Sequence, residues 1–179
     1  TQILLDAQMD PSAVIGGKLK SLGTYGIAGG SDIMTCEACE FVDTFLHLHP
    51  YLAVVLNIDR DHMDYFKTME NLQASFEQFC NQATGKVLYH GDDPNTVEVI
   101  GRLRGKETIS YGMRQTNDYY ATNVEYVDGL HTKFDLYHKG TMVAHLELFI
   151  PGRHNISNAV AACAAALEVG TPADQLAKG

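Results

Sequence analysis

Five short apolar runs constrain this chain more than anything else in it: "AVIGG" (13–17), "DIMTCE" (32–37), "LAVVLN" (52–57), "GKVLYH" (85–90) and "ETISYG" (107–112). Each is too short for a core helix and stops at Gly, Asp, Asn or Glu, as strands buried on both faces of a parallel sheet do. Helical patterns lie between and after them. Residues 69–83, "MENLQASFEQFCNQA", place Met69, Leu72, Phe76, Phe79 and Cys80 on one stripe at spacings of three and four, with polar residues opposite. Residues 93–103 start from "DDPN", an N-cap candidate followed by Pro in the first turn. Residues 155–169 are dominated by alanine, the strongest helix former, whose small side chains allow close packing on a sheet. Strands alternating with helices predict an α/β fold, a mostly parallel sheet flanked by helices.

Residues 119–149 break the alternation. "YYATNVEYV", "HTKFDLYH" and "TMVAHLELFI" read as three strands joined at "DGL" and "KGT", whose Asp-Gly and Lys-Gly pairs suit hairpin turns. They predict a small three-stranded antiparallel side sheet over about 119–150. No linker rich in Pro, Gly or Ser and no internal repeat divides the 179 residues, so 1–179 read as one domain.

A formal charge of −9 with only 13 scattered Lys and Arg argues against a phosphate-backbone binder, and no nucleic-acid partner is expected. Apolar runs such as 159–167 are far too short to span a bilayer and no signal segment opens the chain, so a cytoplasmic protein without a membrane partner is expected. Cys36 and Cys39 form a CxxC, but zinc needs a second ligand pair, and Cys80 and Cys163 stand alone in helical patterns. Glu37 and Glu40 also oppose thiolate formation beside the pair. The cysteines read as reduced thiols without a redox or metal role.

Parallel sheets bind ligands beyond the carboxyl ends of their strands. Two such ends carry suitable chemistry. "DIMTCE" delivers Glu37, with Glu40 three residues on, and "LAVVLN" runs into "IDRDHMDYF" (58–66), with Asp59, Asp61, His62 and Asp64. A carboxylate and an imidazole from neighbouring strand ends could share a hard cation with nucleotide phosphates. The bland readings stand beside this: His62 as a loop histidine, Glu37 as a solvated acid, the aspartates as turn and cap formers. His47 and His49 look like the exit of a short helix. Asn155 and Asn158 sit one turn apart at the start of the alanine-rich helix, where they could cap it or offer donor and acceptor to an adenine edge.

"EACEFVDTFLHLHPYLAVVLNIDRDHMDYF" followed by "PGRHNISNAVAACAAALEVG" resembles the central domain of the Mur ligases, most closely their alanine-adding branch, over essentially the whole chain. The branch that recycles murein tripeptide is the next resemblance, and each half alone also fits folylpolyglutamate synthases. The resemblance implies a parallel nucleotide-binding sheet and an ATP- and Mg²⁺-dependent ligase of peptidoglycan synthesis. In that chemistry the carboxylate of UDP-N-acetylmuramate becomes an acyl phosphate and is attacked by the amino group of L-alanine. By the family's pattern Glu37 and His62 fall on the catalytic magnesium ligands, with Glu40 an alternative to Glu37, and Asn155 and Asn158 fall beside adenine. Position 39, often Asp in relatives, is Cys here.

The phosphate-binding loop that the family needs, G-x-x-G-K-[ST], does not occur in these residues; "VIGGKLKSLG" has the wrong spacing and no hydroxyl directly after Lys18. "TQILLDAQMDP" reads as the last turns of a helix ending before Pro11, the helix which that loop opens in the family. The expectation is a truncated central domain, without that loop and without the amino- and carboxy-terminal domains, inactive by itself. Apolar sheet surface left exposed predicts self-association. A non-catalytic nucleotide-binding module is the alternative from another functional class.

Overall fold

A computed structural model describes residues 1–127 and 129–179; Asp128, in the expected "DGL" turn, lies outside the described residues. Six strands form the main sheet in sequential order: β4 (Leu52–Val55), β5 (Lys86–His90), β6 (Glu107–Gly112), β7 (Tyr119–Val127), β8 (His131–His138) and β9 (Thr141–Leu148). The first four are mutually parallel, and β8 pairs antiparallel with both β7 and β9. A second sheet of three strands, order β2-β1-β3, contains β1 (Ser12–Leu19), β2 (Thr24–Ile27) and β3 (Met34–Cys36). β1 is antiparallel to β2 and parallel to β3.

The expected α/β class and each strand run are present, but the sheets are divided differently. The antiparallel strands extend the main sheet, because β7 pairs in parallel with β6 through Tyr111↔Tyr119 and Gly112↔Tyr120. The separate small sheet is built from "AVIGG" and "DIMTCE" together with β2, which lies in the unremarked "TYGI".

Two cores lie on opposite faces of the main sheet, as the both-sides-apolar runs require. Ala53, Val55 and Val87 meet Leu72, Phe79 and Cys80 of α3 (Met69–Gln82) and Val99 of α4 (Pro94–Arg102). Leu88, Ile109, Tyr111, Leu136 and Phe134 meet Ile156, Val160 and Ala164 of α5 (Arg153–Glu168) on the other side. Burial pushes the Cys80 and Cys163 thiols up to about 12, so both are inert core residues. The helix starts are local. Thr68 caps α3 by accepting the Asn71 N–H, and Asp93 caps α4 by accepting the Thr96 N–H, with Pro94 at the first helical position. α1 (Gln2–Asp6) ends before Pro11, as its sequence predicts.

Candidate functional site

β3 and β4 belong to different sheets, yet their carboxyl ends converge. Beyond β3 the chain passes Glu37 to Glu40 and enters a 3-10 segment, Phe41–His47, in which Val42 and Asp43 take left-handed backbone angles. Beyond β4 it forms a tight polar turn. Asp61 N–H donates to the Asp59 carbonyl, Arg60 N–H to Asp59 Oδ1, and His62 N–H to Asp61 Oδ1. His62 itself is left-handed, φ 52°, before α2 (Met63–Phe66). An L-residue held there costs energy and persists only where its surroundings fix it. Here the Phe41 ring does so, 4.6 Å from the His62 ring.

The result is a cluster of Glu40, Asp61 and His62. Glu40 Oε1 lies 3.7 Å from His62 Nε2, Asp61 Oδ1 lies 3.7 Å from His62 Nδ1, and one ligand atom from each falls within 4.8 Å of the others. A hard divalent cation holds its ligands about 2.1 Å away, so the three side chains would have to draw inwards around one His62 nitrogen to share an ion completed by water. Among the described residues this is the one group of three such side chains. Glu37 is not in it. Its backbone N–H donates to the Val14 carbonyl, and its carboxylate lies over Gly16 of β1, where an added Cβ would come within 1.7 Å of Oε2. Glu40 is therefore the glutamate beside His62, and Asp61, read from sequence as a turn former, stands with them. His47 closes the 3-10 segment and His49 follows it, both exposed and outside the cluster.

A second site opens beyond β5 and β6. A cleft of ≈ 290 Å³ is lined by His90, Asp92, Met113, Arg153, His154 and Ser157, the last three from the first turns of α5. α5 starts two residues earlier than the sequence reading placed it, because Gly152 at φ 110° takes the cap position. Asn155 is thus inside the first turn, and its side-chain amide donates to the Pro151 carbonyl, 2.6 Å, rather than capping the helix. Asn158 is exposed one turn on, beside the cleft-lining Ser157.

Asp92 shapes the other wall of the cleft. Its Oδ2 accepts the Met113 and Arg114 N–H groups at 2.6 and 3.2 Å, and its Oδ1 accepts the Asn117 amide at 2.9 Å. Burial by itself would raise its carboxyl, but these donors together hold it below the usual carboxylate range. Sequence reading missed His90 and Asp92 as site residues. The only signal was that "YHGDD" ends a strand, where ligands of parallel sheets gather.

Side chains also tie the two sites together. Tyr111 OH donates to the Val55 and Leu56 carbonyls, His90 Nδ1 lies 3.1 Å from the Leu56 carbonyl, and Asn95 Nδ2 donates to the Ile58 carbonyl. The turn carrying Asp61 and His62 is therefore anchored to the strands and helix that build the cleft.

Candidate cation ligands at one pair of strand ends and a cleft under a helix start at the next pair are the arrangement of an α/β ligand-binding domain of the open-sheet kind. Comparison with known proteins narrows this. The Mur ligase middle domain matches residues 27–166, and the chain belongs to that family. It is 38% identical over 176 residues to the UDP-N-acetylmuramate--L-alanine ligase of Caldanaerobacter subterraneus subsp. tengcongensis, covering 97% of this chain and 38% of that protein. Among solved structures it resembles the UDP-N-acetylmuramate:L-alanyl-gamma-D-glutamyl-meso-diaminopimelate ligase of Neisseria meningitides. The TM-score is 0.86 at 22% identity, over 98% of this chain and 58% of that one. It also resembles the MurF ligase of Thermotoga maritima in complex with ADP, with TM-score 0.72 at 18% identity, over 98% of this chain and 44% of that one. The chain thus spans well under half the length of the curated relatives that it matches, such as the Caldanaerobacter ligase.

Proposed function

We propose that this chain is the nucleotide-handling centre of a cytoplasmic, ATP-dependent ligase that joins L-alanine to UDP-N-acetylmuramate in peptidoglycan synthesis. The observation that carries the reading is the meeting of Glu40, Asp61 and His62 where the ends of β3 and β4 converge, next to the cleft at the start of α5. Sequence likeness to the alanine-adding ligase favours this branch over the tripeptide-recycling one, to which the likeness is one of fold.

In this reading His62 and Glu40 would hold Mg²⁺, with Asp61 supplying a further oxygen. Glu37, the ligand that the family resemblance suggested, has its carboxylate over Gly16 and lies outside this set. Such an ion would supply neutralisation of the negative charge that accumulates as the substrate carboxylate approaches the γ-phosphate. The chain's own part is positioning. Phe41 fixes the His62 ring, and the tie from Asn95 to the Ile58 carbonyl holds the His62 turn. In this reading Asn155 and Asn158, on the first turns of α5 and flanking the cleft-lining Ser157, would lie beside the adenine. The chemistry is acyl-phosphate formation followed by attack of the amine, with ADP and phosphate leaving.

These 179 residues alone should not turn over ATP, since no phosphate-binding loop sequence occurs among them. The test is a segment exchange. This chain replaces the matching 38% of the Caldanaerobacter ligase, and alanine-dependent phosphate release is measured. Retained release supports the reading. A folded chimera without it, or substantial turnover by this chain alone, contradicts it.

A further inference from the structure

His90 at the end of β5 makes two hydrogen bonds whose chemistry fixes its neighbour. Its Nδ1 lies 3.1 Å from the Leu56 carbonyl and its Nε2 lies 3.2 Å from Ser157 Oγ. A carbonyl only accepts, so Nδ1 carries the proton of the neutral ring. Nε2 is then an acceptor, and the Ser157 hydroxyl must donate to it. The ring has little freedom to escape this assignment, because it stacks on Tyr111 at 5.2 Å and 7°.

Ser157 is 8% exposed and lines the cleft. With its proton committed to His90, it has only oxygen lone pairs left for a ligand. A buried group presented as acceptor alone favours a ligand N–H and repels a ligand carbonyl, since the mismatched pair leaves both oxygens unsatisfied.

We propose that Ser157, oriented by His90, is the residue by which this cleft selects a purine bearing an exocyclic amino group over one bearing a carbonyl at the same place. Ser157 is the specificity-determining residue and His90 the positioning residue behind it. The inference rests on the nucleotide-binding reading of the cleft and adds to it which base is accepted and why.

The test is NMR titration of this chain with adenosine and with inosine, which differ in the amino or carbonyl group at one ring carbon and in the proton on the adjacent ring nitrogen; the Ser157→Ala variant separates the first difference from the second. Adenosine should perturb the Ser157, His90 and Met113 signals with about tenfold higher affinity than inosine. In Ser157→Ala, and in His90→Phe, which keeps a ring against Tyr111 but frees the serine proton, the ratio should fall to near one. Equal affinities in the unsubstituted chain, or an unchanged ratio in Ser157→Ala, overturn the proposal while leaving the cleft as a base site. No perturbation by either nucleoside overturns the nucleotide reading with it. Should His90→Phe not fold, the imidazole nitrogen shifts of the unsubstituted chain decide the orientation: the Nδ1–H tautomer supports the proposal and the Nε2–H tautomer overturns it.

Discussion

His62 Nε2 stands 3.7 Å from Glu40 Oε1, although the two residues follow strands of different sheets. The contact closes the gap between the sheets at their carboxyl ends, and it requires a left-handed histidine at φ 52°. The cluster is thus assembled by tertiary packing, with no local motif that contains both residues.

The same packing strains Val42, whose φ is 53° and whose side chain is 51% exposed. A β-branched residue there loses on the order of 1–3 kcal/mol, while glycine accepts the angle at some entropic cost in the unfolded chain. Val42→Gly should therefore stabilise the fold by about 1 kcal/mol, read as a higher melting temperature. An unchanged or lower melting temperature would show that the Val42 side chain contributes more than its exposure suggests.

Asp92 should matter for stability in a pH-dependent way. Its folded carboxyl titrates below the ordinary carboxylate range, so the unfolded chain binds more protons at mildly acidic pH and stability rises with pH there. The contribution is present above the ordinary carboxylate value and disappears as pH falls through the depressed one. Asp92→Asn should cost about 1–2 kcal/mol near neutrality, and the gap from the unsubstituted chain should narrow in acid. Urea unfolding at pH 7 and pH 3 checks this; an equal gap at both would contradict it.

At the opposite end of the sheet, Lys86 Nζ lies 2.9 Å from Glu168 Oε2 and 3.1 Å from Glu107 Oε1, and Tyr119 OH donates to Glu168 Oε1 at 2.8 Å. The hydrogen bonds to Glu168 and Glu107 raise the Lys86 ammonium pKa. Lys86→Met leaves Glu168 at the end of α5 without its cation and should cost about 1–2 kcal/mol, less than a fully buried pair because Lys86 is partly solvated. Adding Glu168→Gln should recover part of the loss. Chemical denaturation of the single and double variants measures it, and simple additivity would mean that the pair is not coupled.

Self-association is expected from the small sheet. Val14 and Met34 share one face of it, 52% and 61% exposed, and β3 and β4 are edge strands with one neighbour each. Exposed edges and apolar faces invite pairing with another chain. Sedimentation of this chain should show mass rising with concentration; a monodisperse monomer over the micromolar to millimolar range would contradict it.

Local pattern made part of this molecule readable. The stripe from Met69 to Cys80 specified α3, and "DDPN" specified the start of α4, because spacing and caps act over a few residues. The division into two sheets was not readable. Whether β3 pairs with β1 or β4 depends on contacts that no strand encodes by itself. Resemblance and spacing pointed to Glu37 and His62. The preference of Glu40 over Glu37 for the histidine follows instead from the bend at Val42 and Asp43 and from the space that Gly16 leaves for the Glu37 carboxylate. His90 carried no signal beyond its place at a strand end, since its role depends on a carbonyl 34 residues away and a hydroxyl 67 residues away.

Localising a bound hard cation tests the central claim most directly. Mn²⁺ added to this chain at substoichiometric amounts broadens NMR signals near wherever it binds. The account predicts broadening centred on Glu40, Asp61 and His62, extending to Phe41, and lost in Glu40→Gln. Broadening spread over acidic surface such as Asp135 and Glu147, with the His62 signals untouched, would contradict it.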